Sequence, residues 1–227
     1  PGCTHGIIHR LVAEVIEEMD LLQKAIIVLP VGCSTLAVDY FAFDSVQSAH
    51  GRAPAVATGV KRALPDRFVM TYQGDGDLAS IGAAEMVHAA TRGELITTIF
   101  VNNGIYGMTG GQMAPTSLIG QVTSTSPYGR EAAQVGNPIK IADMLCLLPG
   151  AYYVTRQIVH NPNGVRKLKK ALIKAFEYQK QKKGTCFVEV VSNCPSGWKM
   201  TPVETIKYIE EKMLPMYPVG DLKVPQN

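Results

Sequence analysis

The chain has 227 residues, 46% of them apolar and 18% charged, which places it among ordinary globular proteins large enough for one full core. Twenty-two basic residues against 19 acidic ones leave a formal charge of +3, so no strong field points toward nucleic acid or an anionic membrane. No apolar run approaches the roughly 20 residues that span a bilayer, and the opening PGCTHGIIHR lacks the basic and apolar regions of a signal peptide, which predicts a soluble, cytoplasmic protein.

From the N-terminus, Ile7, Ile8, Leu11, Val12, Val15, Ile16 and Met19 recur at helical spacing and predict an amphipathic helix over 7–19. Residues 25–31 form an aliphatic run closed by Gly32, as in a strand covered on both faces. Residues 54–64 read as a helix with Pro54 in its first turn, 67–72 as a strand, 81–91 as a helix stopped near Gly93, and 96–101 as a third strand. From Gly104 to about Pro138 the chain is rich in Gly, Thr, Ser and Pro with no sustained period, and a loop that long in a compact domain is usually functional or mis-assigned. Beyond it, 139–148 reads as helix, 151–155 as extended, 165–180 as strongly helical, 186–191 as extended and 202–213 as helix. The tail after Tyr217 holds too few apolar groups to pack alone and is expected to drape over the domain or touch a partner. Alternating buried strands and helices predict one α/β domain over 1–227, a mostly parallel sheet flanked by helices.

Five cysteines, an odd number in a chain without an export signal, argue against a disulfide framework. Cys146 and Cys186 have apolar neighbours and read as small buried hydrophobes. Cys3, Cys33 and Cys194 instead lie beside Gly, Pro or Ser in PGCTHG, PVGCST and SNCPSG, at element ends, where backbone can bring thiolates to a shared centre.

In open parallel sheets ligands sit beyond the carboxyl ends of strands, and two such ends carry unusual polar residues. The strand 67–72 runs into Gln73-Gly74-Asp75-Gly76-Asp77, and the strand 96–101 into Asn102-Asn103-Gly104. The glycines allow close backbone approach, and the helix expected to begin near Ser80 aims its free N–H groups there, which suits an anion. Asp75 and Asn103 offer hard oxygens that, with phosphate and water, satisfy octahedral Mg²⁺. A lone Gly-Asp-Gly is also common turn chemistry. Asn-Asn after 25 intervening residues shifts the balance, because one right-handed strand-helix-strand unit puts both ends on the same sheet edge.

This arrangement resembles the thiamine-diphosphate signature. Together with PGCTHG, LPVGCST, AHGRAPAVATGVKRALPD, YQGDGDLASIG, VNNGIYGMTGGQMAPT and SNCPSGW, it looks like the β subunit of 2-oxoacid:ferredoxin oxidoreductases, with the strongest likeness to 2-oxoglutarate or branched-chain 2-oxoacid types. The resemblance implies the diphosphate-binding domain fold of thiamine enzymes. It implies that Asp75, Asn103 and the Ile105 carbonyl hold Mg²⁺ against the diphosphate. Cys33, Ser34, His50, Gly51, Gly74, Gly76, Asp77, Gly107, Met108 and Thr109 would line the cofactor, and His50, in His50-Gly51-Arg52, is the candidate catalytic residue. On residue type alone, His50 reads also as a loop histidine satisfied by backbone, and Arg52 as a solvated arginine. Tyr106, Met108 and Met113 fit either core or pocket wall.

The implied reaction is CoA-dependent oxidative decarboxylation of a 2-oxoacid to an acyl-CoA, with electrons passed one at a time to ferredoxin. Family members commonly hold a [4Fe-4S] cluster on four thiolates. Cys3, Cys33 and Cys194 match three of them. The fourth would fall immediately before Pro1, so the sequence is either trimmed, which is the preferred reading and leaves a cluster expected in the native protein, or a variant lacking that ligand. Thiamine enzymes also use a glutamate from a pyrimidine-binding domain, which implies an α subunit, with further small subunits, and a chain inactive alone. Two rivals remain, a non-redox thiamine decarboxylase subunit and a cofactor-free structural subunit of the same fold. A nicotinamide-binding protein is disfavoured because no G-x-G-x-x-G follows the first strand.

Overall fold

A computed structural model describes residues 2–225; positions 1, 226 and 227 of the expected domain lie outside the described residues. Its strands are β1 (Ala25–Leu29), β2 (Asp44–Gln47), β3 (Phe68–Gly74), β4 (Thr97–Asn102), β5 (Ile105–Tyr106), β6 (Gln112–Met113), β7 (Ala151–Ile158), β8 (Thr185–Val191) and β9 (Gly220–Lys223). The α-helices are α1 (His5–Glu18), α2 (Ala53–Ala63), α3 (Ala83–Arg92), α4 (Ala132–Val135), α5 (Ile141–Cys146), α6 (Pro162–Lys180), α7 (Pro195–Trp198), α8 (Pro202–Tyr208) and α9 (Leu214–Met216). Seven strands form one sheet in the order β2-β1-β3-β4-β8-β7-β9, parallel throughout except for β9, while β5 and β6 make a separate hairpin.

Alternation of side chains along each strand divides the core into two faces. Ile27 and Leu29, Met70 and Tyr72, Ile99 and Val101, and Val188 and Val190 point toward Ile8, Leu11 and Val15 of α1 and Leu168, Leu172 and Phe176 of α6. On the other face, Ile26, Val28 and Val69 meet Ala53 and Ala57 of α2, while Phe100, Val154 and Phe187 meet Met86 of α3 and Leu145 of α5. The expected α/β fold is therefore present as three layers. Every residue of β1, β4 and β8 is buried, as strands sandwiched between helices must be. Each such aliphatic side chain contributes about 1.5–3 kcal/mol.

Local signals start the helices where the sequence suggested. Asn161 caps α6 by accepting from Gly164 N at 2.9 Å, with Pro162 in the first turn. Thr201 and Glu204 form a capping box at α8.

Several elements differ from expectation, each for a physical reason. β1 ends at Leu29 rather than Val31, because Pro30 has no N–H to add to the ladder. β2 was not anticipated: its Asp-Ser-Val-Gln sequence is polar and exposed on the sheet edge. A 3₁₀ segment, Cys33–Asp39, follows β1. The helix expected over 202–213 passes through a wider π turn at Ile209–Met213 and continues into α9. The irregular stretch 104–138 is held by Arg130, whose buried guanidinium donates to the carbonyls of Ala114, Pro115, Ser117, Gly136 and Asn137. The cation ties together short backbone turns, among them Gly120 N to the Arg130 carbonyl and Arg130 N to the Gln121 carbonyl, in place of long regular elements. The tail does drape over the domain, as β9 antiparallel to β7, with Tyr153 Oη donating to Asp221 at 2.6 Å. Among the described residues no helix is long and apolar enough to cross a membrane.

Candidate functional site

The parallel strands β1, β3, β4 and β8 all end at one rim, where they run into Pro30–Ser34, Asp75–Asp77, Asn103–Gly104 and Ser192–Cys194. Gly74 pairs with Val101 across β3 and β4, which brings Asp75 beside the Asn102-Asn103 turn. The strand converts to helix without a loop. Helical backbone starts at Asp75, widens through a π turn at Asp77–Ile81, and passes Gly82 into α3. The free N–H groups expected near Ser80 therefore begin five residues earlier, beside the carboxylates themselves.

Asp75 is almost fully buried. Its Oδ1 accepts from Asn103 N at 3.0 Å, and its Oδ2 accepts from Gly104 N at 2.6 Å and from the Thr116 hydroxyl. Burial pushes its carboxyl up to about 6, against the opposing pull of those donors. Three donors occupy three of the roughly four acceptor positions of a carboxylate. Asn103 Oδ1 accepts only from Ile105 N, at 3.2 Å, and its carbonyl accepts from Trp198 Nε1 at 3.0 Å.

Asp77 forms a second buried carboxylate centre. It accepts from His50 Nδ1 at 2.9 Å and Gly51 N at 2.5 Å on Oδ1, and from Gln73 Nε2 at 2.5 Å on Oδ2. Burial raises its carboxyl above the usual range. His50 is thereby oriented through one ring nitrogen, as a satisfied loop histidine would be, while its ring still lines the cavity. Arg52 pairs with Glu85 at the surface and does not line the cavity.

One cavity gathers Cys33, Ser34, His50, Gly74, Asp75, Gly76, Asp77, Asn103, Ile105, Gly107, Met108 and Thr109. Of the expected cofactor residues only Gly51 stands behind the wall, its N–H committed to Asp77. The cavity also takes in His5, Val31 and Gly32, which the sequence left without a role, and it puts Tyr106 and Met108, open between core and pocket wall on sequence alone, in the wall, while Met113 does not line it. His5 lay in PGCTHG but showed no function until Tyr72 was in place: its Nδ1 is 2.6 Å from the Tyr72 hydroxyl. A side chain at Gly76 would bring Cβ to 2.9 Å from the Tyr106 ring, so the backbone approaches closely there.

The residues present fit a diphosphate with a hard cation. A buried carboxylate with a spare acceptor position calls for positive charge, and Ser34 Oγ is buried in the cavity wall without a hydrogen-bond partner among the described residues.

A second cavity adjoins the first, sharing His5, Cys33, Asn103 and Gly107, and it contains all of Cys3, Cys33 and Cys194. A Cβ at Gly107 would lie 2.9 Å from Cys194 Sγ and 3.6 Å from Cys33 Sγ, so these two sulfurs face the same glycine. Burial, reinforced by the neighbouring cysteines, raises the Cys33 thiol, and burial likewise raises that of Cys194. Among the described residues no group of three His, Cys, Asp or Glu side chains is arranged to hold a metal ion, while the three expected cluster ligands line one cavity. All five cysteines are free; Cys186 is buried, its thiol pushed up to about 12, and Cys146 is half-buried.

A family profile described as the C-terminal TPP-binding domain of thiamine pyrophosphate enzymes matches residues 30–190, and the chain belongs to that family. It is 44% identical over 222 residues to the ketoisovalerate oxidoreductase subunit VorA of Methanothermobacter thermautotrophicus, covering 98% of this chain and 46% of that one. It is 37% identical over 228 residues to the 2-oxoglutarate synthase subunit KorB of Methanocaldococcus jannaschii, covering 97% and 80%. Its structure matches a 2-oxoglutarate:ferredoxin oxidoreductase from Magnetococcus marinus, solved with 2-oxoglutarate, coenzyme A and succinyl-CoA bound, at a TM-score of 0.80 and 28% identity, covering 100% of this chain and 81% of that one. Within the thiamine enzymes, the chain is thus a member of the 2-oxoacid:ferredoxin oxidoreductase family, on the side of its thiamine-binding subunits. It spans about half the length of the VorA relatives it matches.

Proposed function

We propose that this chain holds thiamine diphosphate and Mg²⁺ in a multi-subunit enzyme that converts a 2-oxoacid and coenzyme A to an acyl-CoA, passing electrons to ferredoxin. The observation that carries this reading is the adjacency of two cavities, one built on Asp75 and Asn103 and the other on three thiols, joined through Cys33, Asn103 and Gly107. Asp75, Asn103 Oδ1 and the Ile105 carbonyl hold the cation, while Ser34, Gly76, Asp77, Met108 and Thr109 enclose the cofactor. When bound, thiamine diphosphate supplies the nucleophilic carbon and the electron sink for decarboxylation. His50, oriented by Asp77, moves a proton at its second ring nitrogen. Cys3, Cys33 and Cys194 are candidate ligands of an iron-sulfur relay.

The cavity wall includes no glutamate among the described residues, and Val31, Ile81 and Met108 beside the site, with Leu36 and Tyr40 on the adjoining cavity, leave large apolar groups exposed. Both features fit a second, α-type subunit that covers this rim and supplies the carboxylate for the pyrimidine ring. Five free cysteines fit a reducing, cytoplasmic compartment.

A non-redox thiamine decarboxylase subunit is the second reading; it would use the cavity of Asp75 and Asn103 but has no use for the three thiols beside it. The assembled complex, purified without oxygen, separates the two. Acyl-CoA formation from 2-oxoglutarate, 2-oxoisovalerate or pyruvate with ferredoxin reduction, together with iron and acid-labile sulfide, is the expected result. Decarboxylation to an aldehyde with neither iron nor sulfide overturns the redox reading, and a lack of thiamine diphosphate binding in the presence of Mg²⁺ overturns both.

A further inference from the structure

Two hydrogen-bond routes lead from the turn between α9 and β9 to the strand ends that carry Asp75 and Asn103. On the first, the Tyr217 hydroxyl donates to the Thr116 carbonyl at 2.7 Å, and the Thr116 hydroxyl donates to Asp75 Oδ2. On the second, Arg156 Nη1 donates to the Pro218 carbonyl at 3.2 Å, and its Nε donates to Glu189 Oε2 at 2.7 Å. Glu189 Oε1 then accepts from Asn102 Nδ2 at 2.7 Å, one residue before Asn103. The Arg156 guanidinium also lies 5.5 Å from the centre of the Tyr217 ring.

All five side chains, Tyr217, Thr116, Arg156, Glu189 and Asn102, are at most 1% exposed. In so dry a network a displaced group finds no water to replace its partner, so each member fixes the next. The consequence falls on the two oxygens of Asp75 unequally. Oδ2 receives two donors, Gly104 N and the Thr116 hydroxyl, whereas among the described residues Oδ1 receives only Asn103 N. The acceptor position left open is therefore on Oδ1, and the orientation that leaves it open is held by Thr116, itself held by Tyr217.

We propose that Tyr217 and Thr116 are positioning residues for the cation site: the C-terminal segment sets which Asp75 oxygen faces the metal. This rests on the reading of Asp75 as a Mg²⁺ ligand. The Tyr217 ring packs against Arg156 whether or not its hydroxyl is present; the hydroxyl also lies 3.4 Å from the Ile139 carbonyl, so Tyr217→Phe removes that longer contact too, and Thr116→Val tests the route without it.

Calorimetric titration of the full-length protein in its native assembly with thiamine diphosphate, at several fixed Mg²⁺ concentrations, tests this. Tyr217→Phe and Thr116→Val are each expected to weaken binding at limiting Mg²⁺ by about three- to tenfold, the size of one buried hydrogen bond. Thr116→Ser, which keeps the hydroxyl, is expected to bind like wild type. The double variant should bind no more weakly than the weaker single, since both act on one route, and the losses should shrink at saturating Mg²⁺. Unaltered binding in Tyr217→Phe, additive losses in the double variant, or losses independent of Mg²⁺ and matched by lower melting temperatures without cofactor would each overturn the proposal. Wild-type protein that binds no cofactor would overturn the underlying reading of Asp75 as well, so the two failures are told apart by the wild-type titration.

Discussion

Trp198 Nε1 donates to the carbonyl of Asn103 at 3.0 Å, so α7, which follows Cys194, is fastened to the strand end that carries a candidate cation ligand. This is the only tryptophan in the chain. A ligand that engages Asn103 alters the polarity around the indole, and tryptophan emission should shift when thiamine diphosphate and Mg²⁺ are added together. In Trp198→Phe the response should vanish. An emission spectrum unchanged by cofactor at concentrations that saturate calorimetric binding would mean that the ligand does not reach Asn103.

Replacing Asp75 with Asn removes the charge but keeps the shape. Cofactor affinity in the presence of Mg²⁺ should fall by roughly 100-fold or more, at the upper end of losses seen when metal-site groups are altered. Stability of the cofactor-free protein at neutral pH should change far less than affinity, because removal of a buried anion offsets the cost of turning an amide donor toward Asn103 N or toward Gly104 N and the Thr116 hydroxyl. Chemical denaturation and calorimetry on the same sample check both halves.

The Asp75 carboxyl also sets a pH dependence. Its folded value, raised by burial to about 6, lies above the ordinary aspartate value of 3.8, so the folded state binds a proton more readily than the unfolded chain. Its contribution to stability is complete at low pH and is lost as pH rises through about 6. A cation offsets that loss. The rise in melting temperature produced by cofactor with Mg²⁺ should therefore grow as pH increases through about 6 and be small below it. A stabilisation that is flat from pH 5 to 8 would count against Asp75 as the ligand.

Much of the site was readable because its chemistry is local. Gly74-Asp75-Gly76 lies between an aliphatic strand and a helix, and Asn102-Asn103 ends the next such strand, so adjacency on the sheet follows from chain order alone. What escaped the sequence depends on contacts between distant residues. His5 joins the cavity wall only because Tyr72, 67 residues away, holds its ring. The stretch 104–138 has no sustained period because it consists of short turns and a two-residue hairpin, tied together by Arg130. β2 and β9, with sequences DSVQ and GDLK, are strands by virtue of their neighbours and carry no alternating apolar signal of their own.

The buried pair formed by Arg156 and Glu189, 2.7 Å apart, gives a stability prediction. Burial pushes the Glu189 carboxyl above its usual range while the guanidinium pulls it back. Arg156→Met leaves that carboxylate without its cation, and urea denaturation should show a loss of about 3–5 kcal/mol. Glu189→Gln, which keeps a hydrogen-bonding group for Asn102, should cost less. A loss of under about 1 kcal/mol in Arg156→Met would show that Glu189 takes up a proton at little expense.

The two edges of the sheet end in different ways, and together they restrict how this molecule can be assembled. At one edge β9 runs against the direction of its neighbours and covers β7; at the other, β2 is four residues long and mostly exposed. Neither offers the long, flat, apolar border on which a foreign strand adds easily. Strand addition is disfavoured on both sides, so the partner subunit proposed above would approach through helices and loops, and the exposed apolar residues beside the cavity are where such an approach would gain most. The chain's architecture turns assembly away from its margins and toward its chemistry.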